Sequence, residues 1–246
     1  MTALPITFIQ PGSPPVFPDP QQALNEPNGL LAVGGDLTST RLLAAYQHGI
    51  FPWFSPGEPI LWWSPDPRCV FRTDAIHVSR SLRRQLRACD WALSADRAFD
   101  DVVRACAAPR ADAEGTWIVP AMRVAYGRLH RMGHAHSVEV WQGDNLVGGI
   151  YGIAIGRMFA GESMFSRASG GSKIALLALA RALQRWEFPL LDAQVPNPHL
   201  MSLGAIELPR AEFLRQMAPL THAPGRVGRW DGQFPWHLAN ELPLSP

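Results

Sequence analysis

Residues 146–195 constrain the fold more than any other part of the chain. They begin with two short apolar segments, 146–156 and 158–165, which are separated by a glycine–arginine turn. Short apolar runs bounded by turn residues are typical of paired strands. A polar loop, a helical run at 173–186 and a last apolar run at 190–195 follow. The order strand, strand, loop, helix, strand predicts an α/β fold in which the final strand is mostly buried.

The helix of this unit carries an apolar stripe, as a helix with one buried face requires. The stripe consists of Leu176, Leu179, Leu183 and Trp186. Ser169 or Ser172 is the predicted N-cap. The loop at 167–172 presents backbone N–H groups at the positive end of the helix, where anions bind. It loosely resembles the Arg/Gln-x-x-Gly-x-Gly/Ala signature of acyl-CoA-dependent N-acetyltransferases, but a glycine–serine loop is also an ordinary connection.

Composition sets the outer limits. With 246 residues, 47% apolar and 17% charged, the chain is long enough for one large or two smaller globular domains. No apolar run is long enough to cross a bilayer, and the first ten residues lack the pattern of a signal peptide, so we expect a cytoplasmic protein. Cys69, Cys89 and Cys106 are odd in number and have no metal-ligand spacing, which is typical of reduced thiols.

The chain divides by pattern into a leading part and a larger remainder. A short strand near 28–37 and a helix capped by Thr38 or Ser39 precede an aromatic, proline-rich stretch that includes Trp53. Its aromatic side chains are either core or a platform on which a nucleic-acid base stacks. We predict a small N-terminal α+β domain at 1–67 and a catalytic domain at 68–246. The proline- and glycine-rich tail beyond residue 219 is expected to be loosely attached.

A cationic helix follows at about residue 80. Arg80, Arg84 and Arg87 share one face, Arg83 lies beside them, and no acidic residue interrupts the run. Such a stripe is often only a solvated surface. Because the net charge of the whole chain is only +1, nucleic-acid binding would depend on a local patch of this kind, and uncompensated arginines suit phosphate contacts.

Histidines close in sequence raise the question of a metal site. His130, His134 and His136 are near one another, and Glu139 and His199 are possible further ligands. However, they lack a second pair at ligand spacing, so no metal site is expected.

Polar side chains interrupt the apolar strands at three positions. Asp192 and Gln194 lie two residues apart on the final strand, which would place them on one face, and Glu162 follows an apolar run. Buried polar groups are costly unless they are hydrogen-bonded or functional. They either fasten the sheet or form a substrate-facing cluster in an apolar cleft.

A set of short motifs over roughly residues 17–217 resembles the leucyl/phenylalanyl-tRNA–protein transferase family. The motifs are GLLAVGGD at 29–36, GIFPWF at 49–54, WWSPDPR at 62–68, SRS at 79–81, GTWI at 115–118, AHSVE at 135–139, LVGG at 146–149, GESMFSR at 161–167, DAQ at 192–194 and SLGA at 202–205. Two departures occur. Gly170–Gly171 stand where the family usually has Asn-Ala, and Ala193 replaces a common cysteine, which argues against thiol chemistry there.

This resemblance implies a bacterial cytoplasmic enzyme of the N-end rule pathway. Such an enzyme moves Leu or Phe, and less well Met, from aminoacyl-tRNA to the N-terminal Arg or Lys of an acceptor protein. The resemblance also implies an N-acetyltransferase-like catalytic domain behind a smaller N-terminal domain, a monomer, and neither metal nor CoA as a cofactor.

The resemblance also implies roles for individual residues that match the family's motifs. Asp192 and Gln194 would be catalytic, and Gln194 would accept a hydrogen bond from the attacking amine. Asp192 would either orient Gln194 and balance the charge that develops on nitrogen, or help to hold the cationic acceptor; the sequence does not separate these roles. Three residues would hold the aminoacyl-adenosine end, namely Trp53, Trp117 and Glu162. Four would line the pocket for the amino-acid side chain, namely Ile150, Phe159, Leu179 and Leu191. Four would bind tRNA, namely Arg80, Arg83, Arg84 and Arg87.

Two other functions fit the same sequence. One is a CoA-dependent N-acetyltransferase that uses the loop at 167–172 to bind a pyrophosphate. The other is a tRNA-binding module without catalysis.

Overall fold

The computed structural model describes residues 6–108 and 118–244. The strands are β1 (Thr7–Ile9), β2 (Leu30–Gly34), β3 (Phe51–Pro52), β4 (Leu61–Trp63), β5 (Arg68–Arg72), β6 (Ala92–Ala95), β7 (Ala135–Gln142), β8 (Asn145–Ile155), β9 (Met158–Ser166), β10 (Leu190–Gln194) and β11 (Ile206–Leu208). The helices are α1 (Ser39–Gln47), α2 (Arg80–Ala88), α3 (Phe99–Cys106), α4 (Pro120–Arg131), α5 (Gly171–Arg185), α6 (Pro198–Ser202) and α7 (Arg210–His222). Within the described ranges, no helix combines the length and apolar character that crossing a bilayer requires.

The larger sheet contains the unit that the sequence predicts. Its order is β11-β5-β10-β9-β8-β7-β6. Strands β8 and β9 pair antiparallel, and β10 returns parallel to β9 after the crossover helix α5. The predicted α/β class with a mixed sheet is confirmed.

Helix starts follow local capping chemistry. In α1, the Thr38 side chain accepts a hydrogen bond from the backbone N–H of Arg41, and in α2 the Ser79 hydroxyl accepts one from Leu82 over 3.2 Å. The prediction for α5 is wrong. Its N-cap is Gly170 in the left-handed conformation, at φ +88°, which favours glycine over the predicted serines.

A four-stranded sheet, in the order β1-β2-β4-β3, is built from the leading residues. It packs against the remainder through one apolar cluster, in which Leu42 and Tyr46 of α1 join Met122 and Tyr126 of α4. An N-terminal unit therefore precedes the larger sheet, which starts with β5. The boundary at residue 67 itself remains a prediction.

The tail beyond α7 is not loosely attached, so that expectation is wrong. Trp230 is 1% exposed and belongs to the same apolar core as α5. Its ring stacks on His136 at 3.8 Å, and its backbone N–H donates to the Asp96 carboxylate over 2.7 Å. The proline and glycine content predicted loose attachment, but single aromatic side chains hold the tail against the core although it has few helices or strands.

Candidate active site

A cavity of about 900 Å³ lies where β9, β10 and the start of α5 meet. One part of its wall is apolar and includes Phe71, Ile150, Leu176 and Leu191. Polar side chains also line it, namely Glu162, Ser166, Arg167, Ser172, Gln194, Asn197 and His199. A mixed wall of this kind suits a substrate with an apolar side chain and a polar reacting centre.

Only some of the predicted site residues lie on the wall of this cavity. Those on its wall are Trp53, Ile150, Glu162, Leu191 and Gln194. Phe159 and Leu179 are buried in the main core instead and are not part of the wall. Phe159 contacts the Trp230 ring of the tail, and Leu179 lies almost one turn beyond Leu176 on α5. Trp117 lies outside the described residues.

Glu162 belongs to a ring of three buried oxygen contacts. Its Oε1 lies 2.8 Å from the Tyr46 hydroxyl and its Oε2 lies 2.6 Å from the Tyr126 hydroxyl. The two hydroxyls are themselves 2.8 Å apart. Gln194 Nε2 donates to the same Oε1 over 2.8 Å. Elements distant in sequence, α1, α4, β9 and β10, thus meet at one carboxyl group.

Burial controls the ionisation of this cluster. It raises the pKa of Glu162 to about 7, against the opposing effect of the hydrogen bonds from Tyr126, Tyr46 and Gln194. Burial also raises the pKa of both tyrosines well above the usual value, so both remain phenols at neutral pH.

Asp192 lies behind the cavity and not on its wall. Arg68 donates to both of its carboxylate oxygens, over 2.8 and 2.7 Å, and both side chains are 1% exposed. The Arg68 guanidinium also contacts the faces of the Phe51 and Phe213 rings. The charge of Asp192 is therefore balanced within the protein.

A bulge separates the two polar residues of β10. The register of β10 against β5 shifts between Asp192 and Gln194, and Gln194 has φ +64°. Asp192 Oδ1 accepts a hydrogen bond from the Gln194 backbone N–H over 2.9 Å. The prediction that both side chains share one face is wrong, because the bulge breaks the alternation on which it depends. Gln194 reaches the cavity and Asp192 does not.

The arginine stripe lies on α2, and this helix is hydrogen-bonded to a loop beside the cavity wall. Arg80, Arg84 and Arg87 are exposed, Arg83 is half-buried, and none has an ion pair within the described part of the chain. Gln85 Nε2 on the same helix donates to the Ser169 carbonyl over 2.6 Å. That loop contributes Ser166, Arg167 and Ser172 to the wall.

Several residues of the site escape sequence reasoning. Tyr46 and Tyr126 lie on apolar helix faces, where tyrosine is indistinguishable from core. Leu176 shares its stripe with Leu179, and only the tertiary structure distinguishes them. Arg68 did carry a signal, since it is a charged residue directly before the apolar run Cys69–Val70–Phe71.

Comparison with known families decides the class of protein. The chain matches the family described as "Leucyl/phenylalanyl-tRNA protein transferase" over residues 70–218, and the N-terminal domain of the same family over residues 35–66. The chain belongs to the leucyl/phenylalanyl-tRNA–protein transferase family. As a member of that family it is an aminoacyltransferase.

Individual relatives agree with this family along most of their length. A leucyl/phenylalanyl-tRNA–protein transferase of Xanthomonas axonopodis pv. citri is 60% identical over 227 residues, which is 92% of this chain and 91% of the relative. Another, from Thiobacillus denitrificans, is 56% identical over 214 residues, with 87% and 94% coverage. Among solved structures, L-PGS from Bacillus licheniformis has a TM-score of 0.38 at 9% identity, covering 68% of this chain and 54% of that one. A similarity this distant supports no conclusion.

Proposed function

We propose that this transferase moves Leu or Phe, and less well Met, from aminoacyl-tRNA to the N-terminal Arg or Lys of acceptor proteins. The observation that carries the proposal is the position of Gln194. It lies on the wall of the cavity, its Nε2 is held by Glu162, and its Oε1 has no hydrogen-bond partner within the described residues. An amide oxygen facing a partly apolar cavity is suited to accept a hydrogen bond from an incoming amine.

The chemistry needs little more than positioning. Aminoacyl-tRNA is an activated ester. The pKa of an α-amino group is about 7.7–8.0, so part of the acceptor is free amine at neutral pH. A C–N bond forms as the amine attacks the ester carbonyl, the C–O bond to the ribose breaks, and the proton of the amine goes to the ribose oxygen. Holding the two reactants together can supply about 7–11 kcal/mol of the barrier. Gln194 Oε1 would hold the amine during the attack.

Asp192 would act as a positioning residue. Both of its oxygens bind Arg68, and one also binds the Gln194 backbone N–H. It would therefore set the bulge that directs Gln194 into the cavity, instead of touching either substrate.

The amino-acid side chain, the terminal adenine and the phosphates of the aminoacyl-tRNA would contact different parts of the surface. The Leu or Phe side chain fits the apolar wall formed by Phe71, Ile150, Leu176 and Leu191. Trp53, which is 43% exposed, offers its ring to the terminal adenine. The stripe on α2 would bind tRNA phosphates, and its attachment to the loop at Ser169 brings it near the cavity.

The cellular role follows as part of the same proposal. Adding Leu or Phe to an N-terminal Arg or Lys would mark the acceptor for degradation by the N-end rule pathway. We propose that the enzyme acts in the cytoplasm as a monomer, with aminoacyl-tRNA and acceptor protein as its substrates.

Transfer of labelled Phe from Phe-tRNA to a peptide tests this function directly. A peptide that starts with Arg or Lys should be labelled, and a matched peptide that starts with Asp should not. Labelling from acetyl-CoA instead of Phe-tRNA would support an acetyltransferase, and tight tRNA binding without any labelling would support a binding module.

A further inference from the structure

The oxygen ring of Tyr46, Tyr126 and Glu162 contains more contacts than an ionised carboxylate can satisfy. Each of its three oxygen–oxygen contacts, at 2.8, 2.6 and 2.8 Å, requires one proton. Two phenols supply two protons. If Glu162 were ionised, one of the contacts would bring two lone pairs together without a hydrogen between them.

A protonated Glu162 satisfies every contact. With the acid proton on Oε2, that proton goes to Tyr126, Tyr126 donates to Tyr46, and Tyr46 donates to Oε1. With the acid proton on Oε1, the ring runs in the opposite direction and Tyr126 donates to Oε2. The second lone pair of Oε1 accepts from Gln194 Nε2. All three protons of the ring then have an acceptor, and Oε1 presents only a lone pair to Gln194.

The charges around Glu162 favour the same state. No ion pair in the described part of the chain includes it, and Arg68, a cation two strands away on β5, is already paired with Asp192. The ionisable groups that face it are Tyr46 from α1, Tyr126 from α4, Tyr151 from β8 and Asp192 from β10, and none supplies a positive charge. Burial raises the pKa of Glu162 to about 7, so the acid form, which is scarce for an exposed glutamate, is well populated near neutral pH.

We propose that Glu162 works as an uncharged carboxylic acid, and that its ring with Tyr46 and Tyr126 is a positioning device for Gln194. The ring directs the acid proton to a tyrosine oxygen and fixes the position of Oε1, which presents only a lone pair to Gln194. Ionisation would leave one contact of the ring without a proton and open the ring, so Oε1 would no longer be held in place. An accepting Oε1 selects the NH₂ end of the Gln194 amide and turns Gln194 Oε1 toward the cavity. The inference rests on the proposed function, in which that oxygen holds the attacking amine.

Three substitutions of Glu162 separate the effect of side-chain shape from the effect of charge. Glu162→Gln keeps the ring, because its NH₂ donates to Tyr126 in place of the acid proton and its Oε1 still accepts. Glu162→Asp keeps an ionisable carboxyl group but is one methylene short, so the ring opens. Glu162→Ala removes it. We expect kcat for Phe transfer to fall by less than about 10-fold in Glu162→Gln, and by about 100-fold or more in the other two. The KM for Phe-tRNA should change much less than kcat.

The pH dependence of kcat distinguishes this positioning role from a purely structural one. Ionisation leaves one contact of the ring without a proton and opens it, so in this proposal the protonated acid is the active form. Wild-type kcat should therefore fall as pH rises through the pKa of Glu162 near 7. Glu162→Gln cannot lose that proton. Titration of the acceptor amine affects both enzymes equally, and the ratio of Glu162→Gln to wild-type kcat should therefore rise with pH. A ratio independent of pH, or activity kept by Glu162→Asp and lost in Glu162→Gln, would overturn the proposal.

An infrared measurement tests the proton without depending on catalysis. Below pH 7, the wild-type protein should show a carbonyl stretch of a protonated carboxylic acid that Glu162→Gln lacks and that Tyr126→Phe shifts. Absence of this band would overturn the inference even in an active enzyme. If the band is present in a protein that transfers no Phe, the proposed function is contradicted, whereas the protonated ring is still supported.

Discussion

The Arg68 guanidinium and the Asp192 carboxylate form a two-point ion pair between the neighbouring strands β5 and β10, with N–O distances of 2.8 and 2.7 Å. A third nitrogen of Arg68 donates to the Gly49 carbonyl over 2.9 Å, just after α1. On the other side, Asp192 accepts from the Gln194 backbone. The pair therefore connects the N-terminal unit to the bulge that presents Gln194 to the cavity.

Removing the charge of Asp192 should cost stability as well as activity. Asp192→Asn leaves the buried Arg68 charge uncompensated, which we expect to lower the free energy of unfolding by about 3–5 kcal/mol. Turnover per folded molecule should also fall, because the bulge at Gln194 loses its support. Chemical denaturation and single-turnover transfer measure the two effects. The control is Glu187→Gln, which breaks the exposed pair with Arg157 and should cost about 0–1 kcal/mol. Equal costs for the two variants would contradict the role assigned to the buried pair.

Gln194→Ala should reduce turnover while leaving the binding of aminoacyl-tRNA intact. The amide oxygen that this change removes contacts the amine only during attack, so we expect kcat to fall by about 100-fold or more and the KM for Phe-tRNA to change little. Steady-state kinetics with an Arg-starting peptide measures both constants. A large rise in KM with unchanged kcat would instead assign Gln194 to substrate binding.

A matched pair on α5 tests the side-chain pocket. Leu176 and Leu179 are both 1% exposed, but only Leu176 lines the cavity. Leu176→Ala and Leu179→Ala should each destabilise the protein by about 2–5 kcal/mol. Only Leu176→Ala should change the ratio of Leu to Phe transfer, by about 10-fold or more. Competition between Leu-tRNA and Phe-tRNA measures this ratio. An equal change in both variants would show that loosened packing, not the wall of the cavity, sets the preference.

The stripe on α2 should determine how tRNA binding depends on salt. Replacing the exposed Arg80, Arg84 and Arg87 with Ala should weaken tRNA binding and flatten the plot of log Kd against log salt, by about 0.7–0.9 for each phosphate that is no longer neutralised. Filter binding across a salt series measures the slope. The control variant removes three exposed arginines of α4, namely Arg123, Arg128 and Arg131. The same flattening in this control would show that total charge matters and the stripe does not.

The C-terminal tail should contribute to global stability. Trp230→Ala removes a ring that contacts His136, Phe159 and Trp186, and we expect a loss of about 3–5 kcal/mol in the free energy of unfolding. Val227→Ala, at a side chain that is 68% exposed, should stay within about 0.5 kcal/mol of wild type. Thermal and chemical unfolding compare the two. A small loss for Trp230→Ala would mean that the tail detaches without affecting the sheet.

The local elements could be predicted from the chain alone, because they depend on neighbouring residues. Short apolar runs and a helical apolar stripe predicted the order of β8, β9, α5 and β10, and the arginine-rich run predicted a helix at about residue 80, where α2 begins. Short motifs predicted the family. Polar residues inside apolar strands, such as Glu162 and Gln194, marked the site, since burying such groups is costly unless they are bonded or functional.

Which side chains meet could be learned only from the folded molecule, because those contacts join residues far apart in the chain. Tyr46 and Glu162 are 116 positions apart, and Arg68 and Asp192 are 124 apart. No local pattern specifies such pairs. The same holds for the bulge at Gln194, which reverses the face expected from alternation, and for Leu176, which lines the cavity where Leu179 does not. The sequence indicated polar groups near a cavity; packing determined which of them faces it, because a side chain's direction depends on every element around it.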